Sequence, residues 1–96
     1  MAIVRVHVVV EGLVQGVGFR WFVAHHADAL SLRGFVRNLY NGKVEIEAEG
    51  ERSLIEEFIK EVKVGPRAAH VSDMKFEWQE PNSQNSVEGF TRFEIR

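Results

Sequence analysis

No cysteine occurs anywhere in the 96 residues, which removes a disulfide framework, a thiolate nucleophile and a thiolate metal site together. The apolar core must carry the stability. An excess of basic charge is also missing: 12 Lys and Arg stand against 14 Asp and Glu, a net charge of −2, so no positive field awaits a nucleic acid or an anionic membrane. Neither is expected as a partner. Long apolar runs are lacking too. The longest stretch without a charged residue is Gly12 to Phe19, eight residues, too short to span a bilayer, and no basic segment followed by an apolar one opens the chain. A cytoplasmic protein is expected. What is present, 45% hydrophobic and 27% charged residues, is the make-up of an ordinary globular chain, and its length suits one domain over residues 1–96.

Residues Ile3 to Glu11 alternate, with Val4, Val6, Val8 and Val10 on one face, which predicts a first strand. Arg20 to Leu30 follows without proline or glycine and places Val23, Ala27 and Leu30 on one helical stripe. A second strand is expected over Leu32 to Asn38 and a third over Lys43 to Glu49, joined by Asn41-Gly42, a dipeptide suited to a two-residue hairpin with two positive φ angles. In the third strand Val44, Ile46 and Ala48 oppose Lys43, Glu45, Glu47 and Glu49, so one side of the sheet is buried and the other wet. Ser53 and Glu56 have the spacing of a capping box at the start of a second helix, which ends at Gly65-Pro66. His70 to Trp78 alternates as a fourth strand, with Val71 on the side opposite Met74 and Trp78. Pro81 to Gly89 is a polar loop, and Phe93 and Ile95 alternate with Arg92 and Glu94 in a short closing strand.

The order β-α-β-β-α-β fits an α+β, ferredoxin-like split βαβ sandwich, two helices on one face of an antiparallel sheet of four to five strands. Arg5, Arg33 and Arg37 then share the open face with the glutamates of the third strand, where opposite charges across strands contribute about 0.2 to 1 kcal/mol each.

The segment Gly12-Leu13-Val14-Gln15-Gly16-Val17-Gly18-Phe19-Arg20, between a strand end and a helix start, carries three glycines in seven residues. Glycine allows successive N–H groups to converge, and the helix start adds unpaired donors and partial positive charge. On the glycines alone, a tight strand-to-helix turn and an anion site are equally good readings. Arg20 favours the anion site. A cation at a helix start is unfavourable unless an anion sits nearby, and a guanidinium can fork onto two phosphate oxygens. Neither Gly-Lys-Ser/Thr nor Gly-x-Gly-x-x-Gly is present, so a nucleotide is not implied.

The run Val10-Glu11-Gly12-Leu13-Val14-Gln15-Gly16-Val17-Gly18-Phe19-Arg20 closely resembles the first signature of the acylphosphatase family. A second stretch, Gly34-Phe35-Val36-Arg37-Asn38 with Gly42, Val44 and Gly50 at fixed spacings, resembles that family's other signature. Phe22, Ala27 and Leu30, then Gly65-Pro66 and the closing Phe93-Glu94-Ile95, extend the similarity over almost the whole chain. The resemblance implies hydrolysis of acyl phosphates to a carboxylate and inorganic phosphate. It implies that Gln15, Gly16, Val17, Gly18, Phe19 and Arg20 bind the phosphoryl group, and that Arg20 and Asn38 are the catalytic pair, Asn38 orienting the attacking water. No cofactor and no metal are expected. Arginine stays protonated and an amide does not titrate, so neither can be a general base. An acyl phosphate suits such a site, because its carboxylate leaves without protonation and a loose transition state asks chiefly for positioning and charge. A substrate phosphate oxygen can take the water's proton. Two residues depart from the family pattern: Ser31 where glycine usually follows the first helix, and Asn41 in place of aspartate in the turn.

His25 and His26, adjacent on a helix, point about 100° apart and do not form the i, i+4 pair of a zinc site. Trp21, Phe22 and Phe35 are assigned to the core. The side-chain amide of Gln15 is expected to support the loop. Two other readings stay open at this stage: a non-catalytic phosphate- or anion-binding module on the same fold, and an RNA-binding module whose central strands would need aromatics where strand three has glutamates. A monomer is expected.

Overall fold

The computed structural model describes residues 3–79 and 90–96. The elements are β1 (Ile3–Leu13), α1 (Phe19–Ala29), β2 (Arg33–Asn38), β3 (Val44–Glu51), α2 (Arg52–Val64), β4 (His70–Gln79) and β5 (Phe93–Ile95). They form two helices packed on a five-stranded sheet of order β4-β1-β3-β2-β5, the expected ferredoxin-like arrangement. β3 runs antiparallel to both β1 and β2, and β5 joins β2 in parallel. The C-terminal ends of β1, β2 and β5 therefore lie at one end of the sheet, where α1 begins. The polar loop expected from Pro81 to Gly89 lies outside the described residues.

The alternation read in the sequence sets the layers. Val6, Val8 and Val10 of β1 and Val44, Ile46 and Ala48 of β3 meet Val23 and Ala27 of α1 and Ile55, Phe58 and Val62 of α2, all in one core. Complete burial of side chains such as Phe58 and Ile55 stabilises by about 1.5–3 kcal/mol each relative to exposure.

Three local expectations are corrected. α2 begins at Arg52 directly after β3, with Glu51 as its N-cap. Ser53 thus lies inside the first turn, where its hydroxyl donates to Glu51 Oε1 at 3.1 Å, and no Ser53/Glu56 capping box forms. β3 consequently extends to Glu51 instead of ending at Glu49. The hairpin is not a two-residue turn: Leu39 N–H donates to Lys43 O and Gly42 N–H to Leu39 O, while Gly42 has φ 91° and Asn41 is not left-handed. This is a three-residue loop closed by a left-handed glycine. Asn41 Oδ1 instead accepts from Lys43 N–H at 3.1 Å. In β4, the pairing with β1 slips at Glu11/Gly12, leaving Ser72 as an extra residue. That bulge turns Val71 onto the helix side with Met74 and Trp78, all three packing against the core.

The open face carries the charges expected of it. Arg5 donates to Glu49 at 2.7 Å, Arg33 approaches the same carboxylate at 3.3 Å, and Glu45 accepts from His7 at 2.8 Å and from Arg37. Burial by itself would raise the Glu45 carboxyl. The hydrogen bonds from His7 and Arg37, with their charges, outweigh it and hold the group below the ordinary 4.5. Phe35 is buried, but on this face and outside the core cluster, under Phe90 and the Arg96 guanidinium, 4.3 Å from its ring centre.

Candidate active site

β1 ends at Leu13 and α1 starts at Phe19. Val14 and Phe19, each 1% exposed, pin the connecting segment into the core at both ends and leave the middle outside. Gly16 and Gly18 have φ of 75° and 76°, and a Cβ on either would meet nothing within 4 Å. Glycine is needed there for the left-handed backbone, not for space. Left-handed residues interleaved in a turn aim neighbouring N–H groups into one concavity. Among the described residues, no N–H from Gln15 to Gly18 donates to a protein acceptor. The first helical hydrogen bond at this end is Phe22 N–H to Gly18 O, 3.0 Å, so the N–H groups of Phe19, Arg20 and Trp21 precede the helical ladder. Gly18 offers no capping side chain, and no acidic residue occupies the first turn of α1. No acidic side chain of that turn offsets the positive end of the helix.

Arg20 adds a full positive charge at the same place. Arg5, Arg33, Arg37, Arg52, Arg92 and Arg96 each pair with a glutamate. Arg20 pairs with no Asp or Glu side chain among the described residues; its Nη1 donates to the main-chain oxygen of Arg96, the last residue of the sequence, at 3.0 Å. A guanidinium held by one oxygen through Nη1 retains other N–H donors for a ligand. Asn38, the exposed last residue of β2, has a side-chain amide that bonds no other described residue. It faces the same pocket of about 210 Å³ as Gly16, Gly18, Phe19 and Arg20. The structure thus brings together five of the seven residues singled out in the sequence.

Gln15 and Val17 do not line that pocket. Gln15 Nε2 donates to the carbonyl oxygens of Leu39 and Lys43 at 2.7 and 2.8 Å, which ties the loop to the hairpin after Asn38. Val17 packs against the core. Three lining residues were not singled out: Val14, Trp21 and Ile95. Trp21 is 67% exposed, which corrects its assignment to the core. The signal was available, since two residues before Val23 is about half a helical turn from the buried stripe. Ile95 has no such signal, because only the parallel pairing of β5 with β2 brings it beside Asn38.

Among the described residues, no three His, Asp or Glu side chains converge as a metal site. Of the four histidines, His7 bonds Glu45 on the open face, His25 stacks on Trp21, His26 lies against Phe22 and His70 begins β4.

The sequence model of the acylphosphatase family matches residues 6–95. An acylphosphatase of Moorella thermoacetica is 46% identical over 96 residues, covering 100% of this chain and 97% of that protein. Among solved structures, the acylphosphatase from Bacillus subtilis superposes with a TM-score of 0.87 at 39% identity, covering 97% of this chain and 98% of that one. Full-length HypF, in its phosphate- and nucleotide-bound form, contains a similar unit: TM-score 0.81 and 32% identity over 98% of this chain but only 12% of HypF. Near-complete coverage in both directions by small relatives, together with the family match along almost the entire sequence, places the chain in the acylphosphatase family, hydrolases of the mixed anhydride between a carboxylate and phosphate.

Proposed function

We propose that the chain hydrolyses acyl phosphates with the loop from Gln15 to Phe19 and Arg20 holding the phosphoryl group and Asn38 holding the attacking water. The observation that carries this assignment of roles is the Arg20 guanidinium, free of any described Asp or Glu side chain, sharing one small pocket with the Asn38 amide. On binding, the phosphoryl oxygens accept from the loop N–H groups and from a guanidinium fork. The Asn38 carbonyl oxygen accepts from water and aims its lone pair at phosphorus. The water oxygen bonds to phosphorus as the bond to the carboxylate oxygen breaks, and the carboxylate departs with the electron pair. The water's proton passes to a phosphoryl oxygen. No protein base is required, because the leaving carboxylate is weakly basic and the transition state is loose.

A non-catalytic module would bind phosphate and leave the anhydride intact. Benzoyl phosphate incubated with purified protein decides between the two: loss of its absorbance with stoichiometric release of phosphate supports hydrolysis, and phosphate binding without turnover overturns it. Turnover is expected to survive exhaustive treatment with EDTA, and loss restored by a metal would contradict the metal-free mechanism.

We further propose a monomer comprising one domain over residues 1–96 that works in the cytoplasm with neither nucleic acid nor membrane as partner. The net charge of −2 and the absence of cysteine support this reading, and no helix among the described residues is long and apolar enough to cross a membrane.

A further inference from the structure

Acyl phosphates share the phosphoryl group and differ beyond the carbonyl carbon, so discrimination among them must come from surface beside the anion pocket. That pocket, about 210 Å³, is smaller than the roughly 300–1,000 Å³ usual for small-molecule sites. It opens beside a groove of about 480 Å³ between α1 and β5, walled by Trp21, Ala24 and His25 on one side and Phe93 and Ile95 on the other. Trp21 and Ile95 line both spaces and form their common lip.

Both lip residues are exposed, Trp21 by 67% and Ile95 by 48%. An indole left so open, one residue after Arg20, presents apolar surface at the edge of a charged site. On one side it meets His25, one helical turn on, with ring centres 5.1 Å apart and planes 8° from parallel. The charged lining of the groove is unsuited to an anionic guest. Arg92 is paired with Glu94 at 3.8 Å, while Asp28 adds a second carboxylate to the same groove.

Resting on the reading of the neighbouring pocket as the phosphoryl site, we propose that this groove is the acyl subsite and that Trp21 and Ile95 set specificity for uncharged acyl phosphates with a flat, apolar acyl group. The phosphoryl group enters the loop, the carbonyl crosses the lip, and the acyl plane lies against the indole and the Ile95 side chain. Small acyl groups gain nothing from the groove. Larger planar ones gain buried apolar area, a difference on the order of tenfold in affinity.

The test uses benzoylphosphonate and acetylphosphonate, analogues whose carbon–phosphorus bond is not an anhydride. In Trp78→Phe, Trp21 is the only remaining indole of the two in the chain. Benzoylphosphonate is expected to change its fluorescence and to bind about tenfold tighter than acetylphosphonate. By calorimetry, Trp21→Ala should bring that ratio near one and Trp21→Phe should restore most of it. Ile95→Ala, a truncation at an exposed position, should lower the ratio in the same direction. A silent Trp21 signal, equal affinities in the parent, or a ratio that survives both truncations overturns the subsite. Turnover of benzoyl phosphate is measured separately, so discrimination without hydrolysis would leave the subsite standing and defeat the hydrolytic reading instead.

Discussion

Gln15 donates from its side-chain amide to the main-chain oxygen of Leu39 at 2.7 Å, joining the glycine-rich loop to the residue directly after Asn38. A second bond to Lys43 O completes the clamp. The two halves of the pocket, far apart in sequence, are thereby fixed to each other. Replacing Gln15 with Leu removes both donors and leaves each carbonyl with its hairpin partner alone, at a cost of about 1 kcal/mol. We expect a lower urea midpoint and a kcat reduced about tenfold by poorer positioning of Asn38 against the loop. A variant with parent kcat would show that the clamp has no part in positioning.

Arg20→Lys keeps the charge but loses the planar fork. Hydrogen bonds to charged groups contribute about 1.5–3 kcal/mol, so kcat/KM for benzoyl phosphate should fall roughly a hundredfold. Inhibition by inorganic phosphate should weaken with it. An inhibition constant equal to the parent's would mean that the guanidinium does not bind the phosphoryl group.

Asn38→Ala separates water positioning from anion binding. The pocket keeps its loop amides and Arg20, so phosphate should inhibit as before, within about a factor of two. Misplacement of the nucleophile should lower kcat by about a hundredfold. Equal losses in kcat and phosphate affinity would assign Asn38 to the anion instead of the water.

How much of this was legible follows the range of each interaction. The valines of β1 and the Val44, Ile46 and Ala48 alternation of β3 declare their faces because one side of the sheet is buried, and Gly16, Gly18 and Arg20 point to the proposed anion site through local backbone chemistry. The Ser72 bulge was hidden because the slip is set by pairing between β4 and β1, not by either strand alone. Helix α2 was expected to start with its own cap, yet the chain passes straight from β3 into it, and Glu51 serves without a side-chain cap. Asn41-Gly42 pointed to a turn correctly, but its length was settled by where Leu39 and Lys43 pair. Ile95 entered the pocket only through the β2–β5 register.

Glu45 makes stability depend on acid. Its folded carboxyl sits below the ordinary 4.5, held there against burial by His7 of β1 and Arg37 of β2. A depressed carboxyl contributes stability above its unfolded value and loses it as pH falls through the folded one. Unfolding free energy should therefore decline below about pH 4.5, and Glu45→Gln should flatten that part of the curve while lowering stability near neutrality. Urea unfolding at a series of pH values measures both. A Glu45→Gln curve parallel to the parent's would locate the acid sensitivity elsewhere.

Ser31 closes α1 in a left-handed conformation, φ 58°. Its N–H donates to Asp28 O at 3.0 Å and the next N–H, from Leu32, to Ala27 O at 2.9 Å, the paired bonds of a Schellman cap with serine where glycine is usual. A side chain in this region costs roughly 1–2 kcal/mol, and glycine gives back part of that through its greater freedom when unfolded. Ser31→Gly should thus stabilise by about 1 kcal/mol net, which for a chain of this size raises Tm by about 4–8 °C. Ser31→Ala, which keeps a Cβ, should give no such gain. The serine is exposed and lies outside the pocket lining, so kcat should not change in Ser31→Gly. A Tm that rises equally in both variants would trace the effect to loss of the hydroxyl instead of relief of the backbone.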